Sequence, residues 1–124
     1  MKIEADINQG QHKIDAYATG SITVAGVPYT TNIIVTTAAV VSGQLPDNIH
    51  SLAERHVMTM LEHKPEVVLF GSGKTLIPPA DNICELLYIR QIGFEIMDTG
   101  AACRAFNFLS GEGRQIVAAL FQID

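Results

Sequence analysis

Three short segments in the second half of the chain, Val67 to Phe70, Phe94 to Met97 and Ile116 to Phe121, are largely apolar and bounded by glycine or polar residues. Runs of this length that do not alternate with polar residues are what strands covered on both faces look like. The stretches between them have helical spacing. Asp81 or Asn82 is placed to cap a helix running to about Ile92, with Gly93 closing it. Asp98 or Thr99 caps another over Ala101 to Leu109, with Ala102, Ala105, Phe106 and Leu109 on one face and Ser110-Gly111 at its end. Upstream, Ile49, Leu52, Ala53, Val57, Met60 and Leu61 predict one amphipathic helix of about three turns. Pro46-Asp47-Asn48 would start it and His63-Lys64-Pro65 would stop it.

The first half reads differently. From Ile14 to Thr37 the chain is rich in β-branched and aromatic residues, and Ala25-Gly26 supplies a turn between two extended runs, so a hairpin is expected. Pro28 suits an edge strand, because it has no N–H to give to a ladder. Ala38 to Val41 either extends this hairpin or forms another short strand, and residues 1–12 read as an extended or partly mobile lead-in. Helices alternating with strands predict a single α/β domain over residues 1–124.

Polar residues of chemical interest gather at the strand ends. A right-handed crossover from Val67–Phe70 to Phe94–Met97 would bring Gly71, Ser72, Gly73, Asp98 and Thr99 to one edge of the sheet, where ligands of open α/β sheets bind. With Cys103 and Asn107, four apart on the flank of the third helix, these are the candidates for a ligand cleft. Each also has a plain structural use. The glycines make a tight turn, Asp98 and Thr99 are good helix caps, and Cys103 near an apolar face packs like any small core residue. Arg104 and Phe108 lie away from the apolar stripe and are candidate partner contacts. Glu112 and Arg114 form either an ion pair at the start of a strand or an anion contact. His56 falls beside the apolar stripe of the first helix and reads as partly buried, and Cys84 as packing.

Two nucleotide motifs fail. A phosphate-binding loop ending in Gly73-Lys74-Thr75 would need glycine where Val68 stands, and Pro78-Pro79 follow where its helix should open. A dinucleotide fingerprint from Gly71 finds Leu76 at its third glycine. Cys84 and Cys103 have no metal-ligand spacing, and no histidines stand four apart, so no metal, cofactor or disulfide framework is indicated. Hydrophobic residues at 48% and charged residues at 17% exclude extensive disorder. A net charge of -5 with only eight scattered Lys and Arg argues against nucleic acid. No apolar run is long enough to span a bilayer and no export signal is legible, so a reducing cytoplasm is the expected compartment.

The residues from Pro65 to Leu120 carry a resemblance. Pro65-Glu66-Val67 leads to Gly71-Ser72-Gly73, and then come Gly93, Glu95, Met97-Asp98-Thr99, Ala102-Cys103, Phe106-Asn107, Glu112-Gly113-Arg114 and Ala118-Ala119-Leu120. This series resembles the Mth938-like domain family, which includes complex I assembly factor three and bacterial and archaeal proteins of unassigned activity. The segment from Gly20 to Tyr29 is also similar. The resemblance implies a three-layer α/β fold: a central mixed β-sheet flanked by helices, its last strand antiparallel, with an N-terminal β-hairpin layer. It implies no established enzyme activity, and a protein partner as for the respiratory complex I assembly factors. Ala105-Phe106 stands where relatives often have Thr-Tyr. The expected role is a non-enzymatic binding or assembly factor; the alternative is an enzyme or sensor holding a small anionic ligand in the cleft.

Overall fold

The computed structural model describes residues 13–124, so the lead-in expected over residues 1–12 lies outside the described residues. The backbone runs β1 (Ile14–Ala18), β2 (Ser21–Val24), β3 (Val27–Tyr29), β4 (Ile33–Thr36), β5 (Val40–Ser42), a 3-10 turn (Ile49–Ser51), α1 (Glu54–Leu61), β6 (Val67–Gly71), α2 (Asp81–Ile89), β7 (Gly93–Met97), α3 (Thr99–Gly111) and β8 (Ile116–Leu120). A five-stranded sheet of order β5-β4-β8-β6-β7 forms the middle layer, and β1-β2-β3 form a separate small sheet.

Side-chain alternation along the central strands divides the core in two. Ile33, Val35, Leu69, Ile116, Ala118 and Leu120 face one side, where Ala102, Cys103 and Phe106 of α3 meet Ile14, Ile22 and Val24 of the small sheet. Ile34, Val68, Phe70, Val117 and Ala119 face the other, against Val57 and Met60 of α1 and Ile83 and Leu87 of α2. The α/β class, the layers and the mixed sheet are therefore as expected. Parallel crossovers explain the arrangement: α2 carries the chain from β6 to one neighbour and α3 returns it to the other, so the helices fall on opposite faces.

Several local expectations are corrected. The antiparallel strand of the central sheet is β4 rather than the last strand, since β8 pairs parallel with β6 and antiparallel with β4. The Ile14–Thr37 region is more than a hairpin: Ala25 and Gly26, both at positive φ, join β2 to β3, β1 adds a further strand, and Ile33–Thr36 leaves for the central sheet. Pro28 lies on edge strand β3, where its missing donor costs nothing. The single helix expected from Ile49 breaks at Leu52, which is extended. Asn48 caps only the 3-10 turn, and α1 starts afresh after Ala53. Ala80, not Asp81 or Asn82, occupies the cap position of α2, and Gln91 rather than Gly93 takes the positive φ after it. Finally, among the described residues β7 is an edge strand and only partly buried, as its Glu95 could have signalled.

Candidate functional site

The C-terminal rim of β6, β7 and β8 brings Gly71, Ser72, Gly73, Asp98 and Thr99 together. Thr99, in the first turn of α3, is completely buried. Its hydroxyl donates to the Phe121 carbonyl at 2.6 Å and accepts from the Gly73 N–H at 2.8 Å, while its own N–H donates to the Gly73 carbonyl at 2.9 Å. One side chain thus ties the ends of all three parallel strands. Ser72 donates through Oγ to the Thr75 carbonyl at 2.6 Å and accepts from the Ile77 N–H at 2.9 Å, which shapes the turn after β6. Asp98 accepts from the Ala101 N–H at 2.9 Å as the cap of α3.

Gly71 permits the close approach. A Cβ there would lie 3.0 Å from both the Ala102 Cβ and a Leu120 methyl and 3.1 Å from the Thr99 backbone, so α3 would have to give way to seat against the strand end. Gly73 has φ of +104°, which a side chain would strain.

Cys103 and Asn107 point elsewhere. Cys103 is buried in the core, and its thiol is pushed up to about 12, chiefly by burial, so it is protonated at neutral pH and is no ready nucleophile. The Asn107 amide accepts from the Ile14 N–H and donates to the Ile14 carbonyl, both at 2.9 Å, clipping β1 onto α3. Arg104 donates to the Tyr17 hydroxyl, a second tie between the same elements. Phe108 is 66% exposed. Arg114 pairs with Glu66 at 2.8 Å rather than with Glu112, and this hydrogen bond holds the Glu66 carboxyl below its ordinary range. His56 is buried at the start of α1, where Nδ1 accepts the Ala53 N–H at 2.8 Å. Burial and neighbouring Arg55 lower its pKa.

Beside the rim opens a groove of about 710 Å³, bounded by residues 30–32, the 43–50 segment, the turn after β6 and the chain after β8. Of the candidates, only Ser72 and Gly73 line it. Its other polar walls include Asn32, Asp47, His50, Lys74, Gln122 and Asp124. Asn32 donates to the Pro46 and Asp47 carbonyls and accepts the Gln122 N–H at 2.8 Å. Gln122 Nε2 donates to the Tyr29 and Thr31 carbonyls, which fixes the amide's orientation and leaves its buried Oε1 without a hydrogen-bond partner among the described residues. Sequence reading missed Asn32, Gln122 and Tyr17. A polar residue directly after a buried strand was the available signal, but the Asn32–Gln122 partnership spans 90 positions.

The family model described as "Protein of unknown function (DUF498/DUF598)" matches residues 14–121. The chain belongs to this family. Among solved structures similar to this DUF498/DUF598 member, a protein of Bordetella parapertussis is 27% identical, with a TM-score of 0.84 over 92% of this chain and 98% of that one. A Bordetella pertussis protein described as an Mth938-like domain is also 27% identical, with a TM-score of 0.71 over 90% of this chain and 85% of that one. Among curated proteins, the "13 kDa major membrane protein" of Francisella tularensis is 33% identical over 56% of this chain and 57% of its own length. The rat "NADH dehydrogenase [ubiquinone] 1 alpha subcomplex assembly factor 3" is 39% identical over 52% of this chain and 35% of its own. The likeness thus spans about a third to a little over half of these relatives. Among the described residues no helix is long and apolar enough to cross a membrane.

Proposed function

We propose that this member of the DUF498/DUF598 family is a protein-binding factor that assists assembly of a larger complex, without catalysing a reaction of its own. The observation that carries this reading is the use made of the groups best suited to chemistry. The Ser72 and Thr99 hydroxyls and the Asp98 carboxylate are engaged in bonds that hold the strand ends and α3 together, and the Cys103 thiol is buried and protonated. Groups committed in this way position backbone rather than substrate. The likeness to proteins named as complex I assembly factor 3 supports the reading. Phe108 and Arg104 on the outer face of α3, with Glu112 beyond them, are candidate contacts for the partner. Affinity capture with the full chain from its native host, at physiological concentration, is expected to retain a defined protein partner. Recovery of none would overturn the proposal.

A second reading is favoured by the groove itself. Its Lys74, His50 and Asn48 line the same groove as Gln122, and they offer donors to a small anionic ligand on the wall away from the Asp47 and Asp124 carboxylates or bridging to them. Thermal-shift screening with metabolites separates the two, because a ligand at about 100 times its Kd stabilises by about 2.7 kcal/mol.

A further inference from the structure

Among the described residues the central sheet ends at β7, whose inner edge is paired with β6 at every position from Gly93 to Met97. The Met97 carbonyl accepts the Ser72 N–H at 2.9 Å, so Met97 points its backbone groups at the β6 side. Alternation then turns the N–H and C=O of Phe94 and Ile96 outward, toward the open edge. Exposed edges are usually blunted by proline, a bulge or several charges. β7 has an unbroken register, no proline and one charge, Glu95.

An apolar shelf adjoins this edge. Tyr88 and Ile89 on α2 are 80% and 76% exposed, and with Cys84, Glu85 and Phe94 they line a shallow concavity of about 450 Å³. Phe94 and Ile96 pack toward α2 and Met97 toward α3, so Glu95 projects on the α3 side. It is exposed and has no ion-pair partner among the described residues.

We infer that the outer edge of β7 takes an extended segment of a partner protein as an added strand, with basic side chains facing Glu95 and apolar ones lying on the Tyr88–Ile89 shelf. Strand addition supplies main-chain bonds at Phe94 and Ile96, and alternate side chains supply the specificity. Residues directly across a ladder share a face, so the one opposite Glu95 meets a carboxylate and its two neighbours meet the shelf. The chain's net charge of -5 draws a basic segment and opposes a second copy. A two-fold pairing centred on β7 would also set Glu95 against its own counterpart. This inference rests on the protein-binding reading above and adds a second surface, apart from the α3 contacts, with the partner's chemistry at it.

The test uses isotope-labelled full chain and a short peptide alternating lysine with valine, compared with its glutamate–valine counterpart, followed by backbone NMR. The lysine peptide is expected to shift the Phe94 and Ile96 amides and to bind at least about tenfold more tightly than the glutamate peptide. Glu95→Lys reverses that order, and the surface double variant Tyr88→Ser, Ile89→Ser weakens the lysine peptide by about tenfold. The inference is overturned by any of four results: no shift at about 1 mM peptide, shifts centred on Lys74 and Gln122 instead, an unchanged order in Glu95→Lys, or self-association through β7 that excludes the peptide. Native-host capture with the double variant separates the two readings. A partner retained undiminished removes β7 and leaves the assembly role standing. A charge-reversible peptide site with no partner captured by the wild type does the opposite.

Discussion

The rim and the outer flank of β7 are built on the same two strands, β6 and β7, and they handle polar groups in opposite ways. At the rim, the Ser72, Asp98 and Thr99 side chains bond backbone groups of the turn after β6, the first turn of α3 and the end of β8. At the flank, ladder groups face outward beside aromatic and aliphatic side chains left in water. At the rim the hydroxyl and carboxylate side chains serve the architecture, whereas at the flank it is mainly aromatic and aliphatic side chains that are left exposed. The kind of side chain is a poor guide to function until its partners are counted.

The sharpest way to break this contrast is Thr99→Val, which keeps the shape and removes the hydroxyl. It strands the buried Gly73 N–H and Phe121 carbonyl, and each unsatisfied group costs about 1–3 kcal/mol, so a loss of about 2–4 kcal/mol is expected in urea unfolding. Thr99→Ser should recover most of it. A wild-type-like midpoint for the valine variant would show that the rim is less committed than its geometry indicates. Next in size is thiol reactivity. Cys84 borders the flank and is partly exposed, whereas Cys103 is buried behind the rim. Both thiols are raised by burial, Cys103 to about 12, so near-neutral iodoacetamide should modify Cys84 well before Cys103, with Cys103 labelled only on unfolding. Mass spectrometry of the labelled peptides reads the order directly. The smallest effect is expected from Tyr88→Ser. Its side chain is mostly in water, so stability should change by no more than about 0.5 kcal/mol, while solubility rises. A larger loss would mean that the shelf supports the fold.

Much of this was legible in the chain. Continuous apolar runs marked β6 and β8, and the spacing of Ala102, Phe106 and Leu109 marked the buried face of α3. Asp98 was readable as a cap because capping is a local event with a local signature. Thr99 was readable only in part. Its position beside Asp98 suggested a cap, but its hydroxyl acts on residues 22 and 26 positions away, and no local pattern encodes that. The break at Leu52 was hidden for a related reason. Ile49, Leu52, Val57 and Met60 keep helical spacing, yet the backbone turns extended between them and His56 begins a new helix by accepting the Ala53 N–H. The groove was least visible, since Asn32 and Gln122 lie 90 positions apart and meet because β4 pairs with β8.

The place of β8 between β4 and β6 bears on how the molecule is made. Two strands made earlier, β4 and β6, flank a gap that is filled by the last strand to be synthesised, so the sheet cannot zip up progressively behind the growing chain. Until Ile116–Leu120 emerges, β4 and β6 each carry an open apolar margin, and during that interval a chaperone has the most to shield.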